Sequence, residues 1–258
     1  MNKKVIIFIF SIIILLSSCI NINFNRFGDE ISQEYDPTVT LFNINYNDLK
    51  LDIRYNYPEY DILESDDKYM FFACIGFNTK YIDKDKMKVE LFRDDDEDGI
   101  PETKLLDMPL DWFDEETTYF EYRKYLKDSE VTNYENKTYE IRYSDENISG
   151  RYRYTVGGHF KENPNVIIDK SVVKNEEYNL IINNLNCKCN IYISELEQKP
   201  GDFVNFKPIN NWGFRSNSVN LKLKKNDTQN MYYWYDIFIF DKYHVGYYTV
   251  KKVENIVQ

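Results

Sequence analysis

Apolar and polar positions along the chain alternate with a period of two and do not recur every three or four residues. Leu49, Leu51, Ile53 and Tyr55 are separated by polar neighbours; so are Met87, Val89 and Leu91, and again Val219, Leu221 and Leu223. Side chains two apart share one face of an extended strand, so each stretch predicts a β-strand with a single buried face. Residues 69–77 and 232–240 are strand-length runs rich in aromatics, the second broken only by Asp236, which predicts buried strands. Residues 115–126 are ambiguous, and Thr117, Thr118, Tyr119 and Tyr122 favour a strand. No stretch longer than about 12 residues keeps a helical period. The predicted fold class is therefore all-β.

Composition sharpens this. The chain has 23 tyrosines and 17 phenylalanines against 9 glycines and 7 prolines, and aromatic residues suit pleated, half-buried surfaces. Many of them fall in an internal repeat. Tyr139-Glu140-Ile141-Arg142-Tyr143 is followed by Gly150 and then Arg151-Tyr152-Arg153-Tyr154-Thr155-Val156. Tyr235-Asp236-Ile237-Phe238-Ile239 is followed, at the same spacing, by Gly246 and Tyr247-Tyr248-Thr249-Val250-Lys251-Lys252. Each copy reads as an aromatic strand, a polar turn and a returning strand, a hairpin that closes a domain. The expected organisation is two tandem all-β domains, at 37–162 and 165–258, joined through Glu162-Asn163-Pro164-Asn165.

The N-terminus is of another kind. Lys3 and Lys4 precede residues 5–16, apolar except for Ser11, a length that fits the core of an export signal and is short for a bilayer span. Leu16-Ser17-Ser18-Cys19 follows, and these four residues resemble the lipobox of bacterial lipoproteins. The resemblance implies cleavage after residue 18, diacylglycerol and palmitate-type acylation at Cys19, a tether over 19–36, and attachment to the membrane of a cell envelope. Ile20 and Asn21 lack the aspartate that signals inner-membrane retention in some enteric bacteria, which favours the outer membrane.

The hairpin endings, Gly150 to Val156 and Gly246 to Val250, are similar to the last hairpin of bacterial pre-peptidase C-terminal domains, and Val89-Glu90-Leu91-Phe92-Arg93-Asp94 is similar to an earlier strand and acidic turn of that family. The resemblance implies jelly-roll-like sandwiches with an ancillary, non-catalytic role.

Charge restricts the partners. The net charge is −11, and the leader holds two of the 32 basic side chains and no acid, so the remainder is more acidic still. Such a surface repels phosphate backbones and argues against nucleic acid. The carboxylates concentrate in Asp94-Asp95-Asp96-Glu97-Asp98-Gly99-Ile100-Pro101-Glu102. Asp94, Asp96 and Asp98 take positions 1, 3 and 5 of a calcium loop, Gly99 the turn, Ile100 the backbone carbonyl and Glu102 position 9. Leu105 stands where a bidentate glutamate belongs, so the expected ligand is a weakly held Ca²⁺, completed by an acid such as Asp107 or Asp111. The run resembles the acidic loops of thrombospondin type 3 repeats, which implies that flanking helices are not required.

Other chemistry is sparse. His159 and His244 are the two histidines, and neither falls in a catalytic motif. Cys74, Cys187 and Cys189 are too few for a disulfide framework, and free or packed thiols are expected, with a strained Cys187–Cys189 bridge as the alternative. Two functions from different classes remain. One is a non-enzymatic module that binds a protein or glycan, with Trp112 and Trp212 as stacking platforms. The other is a hydrolase that draws a carboxylate pair from Asp111, Asp114, Glu115 and Glu116.

Overall fold

The computed structural model describes residues 37–47, 68–202 and 206–256. The leader, Cys19 and the strand expected at 49–55 lie outside them. Among the described residues there is no α-helix. The first eight strands are β1 (Thr38–Tyr46), β2 (Tyr69–Asn78), β3 (Lys88–Arg93), β4 (Thr103–Asp107), β5 (Leu110–Phe113), β6 (Thr117–Leu126), β7 (Lys137–Ser144) and β8 (Ser149–Val156). The second eight are β9 (Asn165–Ile167), β10 (Ser171–Val173), β11 (Glu177–Asn183), β12 (Cys189–Gln198), β13 (Lys207–Ser216), β14 (Val219–Lys224), β15 (Met231–Phe240) and β16 (Val245–Ile256). The ambiguous stretch at 115–126 is thus a strand, and the fold is all-β and sandwich-like.

Each half is a two-sheet sandwich, and the two pairing patterns coincide apart from β5 in the first half and β10, which pairs with β16, in the second. In the first half the order β1-β2-β6-β5 faces β4-β3-β7-β8; in the second, β9-β11-β14 faces β13-β12-β15-β16. Tyr139 on β7 and Tyr235 on β15 are both fully buried between the sheets of their own sandwich, each flanked by the strand before it in the pattern and the last strand of its half.

The equivalence stops at the returning strand. Tyr143 pairs with Gly150, whereas its counterpart Ile239 pairs with Tyr247 and leaves Gly246 to Phe240. A slip of one residue turns every side chain to the other face of a strand. Tyr152 accordingly packs against the core of the first sandwich, while Tyr248 points away from the core of the second. The ungapped 96-residue offset seen in the sequence therefore holds for β7 and β15 and fails for β8 and β16.

The halves are joined through non-equivalent sheets. β1 runs parallel to β16, with Asn43 opposite Val245 and Tyr46 opposite Tyr248, so that β13-β12-β15-β16-β1-β2-β6-β5 is continuous. Period two explains the cores. Val39, Leu41, Phe71, Ala73 and Ile75 point into the first sandwich; Ile191, Ile193, Tyr235, Ile237 and Ile239 point into the second. The intervening positions, among them Phe42, Phe72, Trp234, Phe238, Phe240 and Tyr248, are buried in a third cluster on the opposite face of the long sheet. This is why residues 69–77 are apolar throughout and residues 232–240 at every position but Asp236: their strands are covered on both sides.

At the seam the inward positions of β1 become polar. Asn43 donates through Nδ2 to the carbonyls of Tyr134 and Gly157, both at 2.7 Å. Asn45 donates to the Phe160 carbonyl at 3.0 Å and to Asn163 Oδ1 at 2.9 Å, and accepts from the Phe160 amide. Two buried amides so hold the connection between the halves against the shared sheet, where an unpaired amide would cost about 1–3 kcal/mol.

Candidate functional site

The acidic loop follows β3 and precedes β4. Asp94 is buried at the strand end; its Oδ1 accepts from the Glu97 amide and its Oδ2 from the Gly99 amide, both at 2.8 Å, and Asp98 Oδ1 accepts from the Ile100 amide at 2.7 Å. Glu97 and Gly99 take the left-handed conformation, φ 64° and 87°, which lets the chain coil back around Asp94. As a result Asp94, Asp96 and Asp98 each bring one carboxylate oxygen within 4.8 Å of the others. Asp95, the residue out of phase, turns the other way to pair with Arg93 Nε at 2.6 Å.

The remaining expected ligands are placed less favourably. Ile100 and Glu102 are exposed on the outgoing limb. Asp107 is paired with Lys104 at 2.8 Å, Asp111 lies on a different sheet, and neither belongs to the converging group. Leu105 is half-buried against the core of the first sandwich, so position 12 serves packing. Three converging carboxylate oxygens are the kind of ligand a hard cation takes.

A set of residues not anticipated from sequence braces this loop. Glu140 on β7 is fully buried and receives Arg142 Nε at 2.5 Å and Arg153 Nη2 at 2.8 Å. The same guanidiniums extend to the loop backbone: Arg142 donates to the Pro101 carbonyl at 2.7 Å and Arg153 to the Gly99 carbonyl at 2.8 Å. The arginines thereby occupy the carbonyls on either side of Ile100. The signal was present, since Glu140 and Arg142 are two apart on a strand and Arg153 is directly across from Glu140 in the hairpin.

The acidic-aromatic cluster separates into unlike parts. Asp114 Oδ1 accepts from the Glu116 and Thr117 amides at 2.7 Å and caps the turn between β5 and β6, where Glu115 and Glu116 are exposed. Asp111 is half-buried, and burial raises its carboxyl above the ordinary range against the pull of Arg123. Its acidic neighbour is Glu121 on β6, likewise raised by burial and ion-paired to Arg123, with Cys74 directly across on β2. Glu121 was missed because it alternates with the core-facing Phe120 and Tyr122, and a charged residue at such a position reads as a surface residue, whereas that face of the long sheet is itself buried.

Trp112 sits on β5 with its ring tilted against that of Tyr119, centroids 5.9 Å apart; Trp212 sits on β13. These strands are the two ends of the long sheet, so the tryptophans belong to separate surfaces. His159 is held by Glu135, Nδ1 to Oε1 3.0 Å, and His244 is packed between the rings of Phe42 and Tyr154. The second sandwich has its own buried network: Glu195 accepts from Tyr235 and from Asn210 (2.7 Å) and pairs with Lys225 at 2.5 Å.

No protein-family model and no curated protein matches the chain. Solved structures match parts of it. A variant of the superoxide reductase (neelaredoxin) from Ignicoccus hospitalis is 11% identical over 36% of this chain and 80% of its own, with a TM-score of 0.27. The ICAM-5 D1–D4 ectodomain fragment is 7% identical over 73% of this chain and 50% of its own, with a TM-score of 0.24. Dimeric latent PorU from Porphyromonas gingivalis is 12% identical over 90% of this chain and 21% of its own, with a TM-score of 0.28. None of these scores supports a shared activity.

Proposed function

We propose that the chain is a lipoprotein of a bacterial cell envelope, anchored through acyl chains on Cys19, whose double sandwich is a non-enzymatic body for binding a protein or glycan. The observation that carries this reading is Leu16-Ser17-Ser18-Cys19 directly behind two lysines and a twelve-residue apolar stretch. Two or more acyl chains hold a protein on a membrane where a single chain binds marginally. Outer-membrane placement follows from Ile20 and Asn21. Within this reading the loop at 94–102 takes one Ca²⁺ through Asp94, Asp96, Asp98, the Ile100 carbonyl and Glu102, and its role is to stiffen the face it lies on.

Metabolic palmitate labelling with detergent-phase partition tests the anchor. The native chain is labelled and enters the detergent phase; Cys19→Ser does neither. Equal labelling of the two ends the reading. Glycan and host-matrix arrays probed with the acyl-free protein, with and without calcium, then identify the class of ligand.

A hydrolase is the second reading, and the observation in its favour is Asp111 beside Glu121, two carboxyls whose proton affinity is raised by burial as a general acid requires. It demands that the native protein turn over an envelope or host polymer and that Asp111→Asn remove the activity.

A further inference from the structure

Cys187 and Cys189 lie in the connection from β11 to β12 and at its end. Cys189 is the first residue of β12 and fully buried, while Cys187 is exposed in the preceding bend, outside the strand ladder. Two residues apart on one strand, their side chains would be parallel and poorly placed to join. Here the bend instead brings the sulfurs to 3.6 Å. Asn184 starts this bend in the left-handed conformation, φ 63°, so the chain reverses before the pair.

We propose that Cys187 and Cys189 are a redox-active dithiol that exchanges with disulfides of the small-molecule or exposed-protein class. The roles divide by exposure. Cys187 faces solvent in the bend, where an incoming disulfide can reach its sulfur, so it is the attacking residue. Cys189 is sheltered from external disulfides, and burial, with Cys187 beside it, pushes its thiol up to about 12. It acts second, when a sulfur bond is already held next to it.

The step balances as follows. The Cys187 thiolate attacks one sulfur of the incoming disulfide, forms a mixed disulfide and releases the first thiol. Cys189 then attacks Cys187 Sγ, gives its proton to the departing thiolate, and closes the Cys187–Cys189 bond. The protein loses two electrons and two protons, and one external disulfide becomes two thiols. Closure requires the sulfurs to move from 3.6 Å to about 2.05 Å. Cys187 lies in a bend and not in a ladder, so it makes this movement without breaking strand pairing. Cys74, fully buried on β2, takes no part.

The test equilibrates the full chain in buffers of graded reduced to oxidised glutathione, quenches with an alkylating agent, and digests with trypsin, which cuts after Lys188 between the two cysteines. The expected result is a pair of peptides joined through Cys187 and Cys189, rising with the oxidised fraction, with Cys74 alkylated only after unfolding. Cys189→Ser, which lacks the resolving sulfur, accumulates glutathione on Cys187, and Cys187→Ser takes up none. Absence of the joined peptides at every ratio overturns the proposal, and so does a native Cys187 that remains fully alkylatable. Both readouts use the unsubstituted chain and stand if a variant fails to fold.

Discussion

At Asp94 the side chain does two things at once: it accepts two amides that coil the loop, and it presents an oxygen to the space shared with Asp96 and Asp98. The other two are exposed and leave the flanking strands intact when removed. Calcium should therefore bind in the range of about 10⁻⁴ to 10⁻³ M and raise stability by about 1.4 kcal/mol at ten times Kd. Differential scanning fluorimetry should show this shift in the native protein and none in Asp96→Ala/Asp98→Ala; retention of the full shift would reduce the loop to a solvated turn. His244 makes a second prediction. Burial lowers its imidazole from 6.5 to about 4, so the folded state binds fewer protons than the unfolded state between those values. Its contribution to stability is complete above pH 6.5 and is lost as pH falls toward 4. His244 has φ 60°, a conformation asparagine tolerates. His244→Asn should thus flatten the decline in urea midpoint between pH 6.5 and 4, and an unchanged pH profile would assign the decline to other groups.

Among the elements, the two closing hairpins show how much one residue of register matters. In β7 and β8 the Tyr143 ring lies over Gly150, so closely that an added Cβ would meet the tyrosine hydroxyl at 2.4 Å and Cζ at 2.7 Å. Gly150→Ala should cost about 1–3 kcal/mol by overpacking, read as a lower urea midpoint. Tyr143→Leu in the same chain should recover part of it, because the two changes share one contact. Additive losses would show that the ring and the glycine are independent. In β15 and β16 the equivalent tyrosine position is Ile239, paired with Tyr247, and the glycine lies under Phe238 and Ile44. The aligned glycines thus meet different neighbours, a difference set by pairing and absent from the residue pattern. The arginine clamp on Glu140 is also an element-level device, since it needs β7 and β8 in register before Arg153 can reach the loop.

For the molecule as a whole, the pairing of β1 with β16 turns two sandwiches into one unit. Separating the halves would expose both strand edges and the cluster formed by Phe42, Trp234, Phe238, Phe240 and Tyr248. The protein should therefore melt in a single calorimetric transition whose measured and van't Hoff enthalpies agree. Two resolved transitions would mean that the shared sheet contributes little to cooperativity.

The local features were legible in the sequence. Alternation at 87–91 and 219–223, the aromatic-rich runs at 69–77 and 232–240, and the coil of residues 94–99 depend on a residue and its near neighbours, through backbone sterics, side-chain direction and turn geometry. The sequence by itself determined an all-β chain, its acidic loop and the proximity of Cys187 to Cys189 along the backbone. Tertiary structure alone decided that β1 lies beside β16, that Glu121 meets Arg123 and Asp111, that Glu140 braces the loop, and that Tyr248 faces the opposite way from Tyr152. The physical reason is that strand pairing over long separations is selected by burying both faces of a shared sheet at once, and no single strand carries the identity of its neighbour.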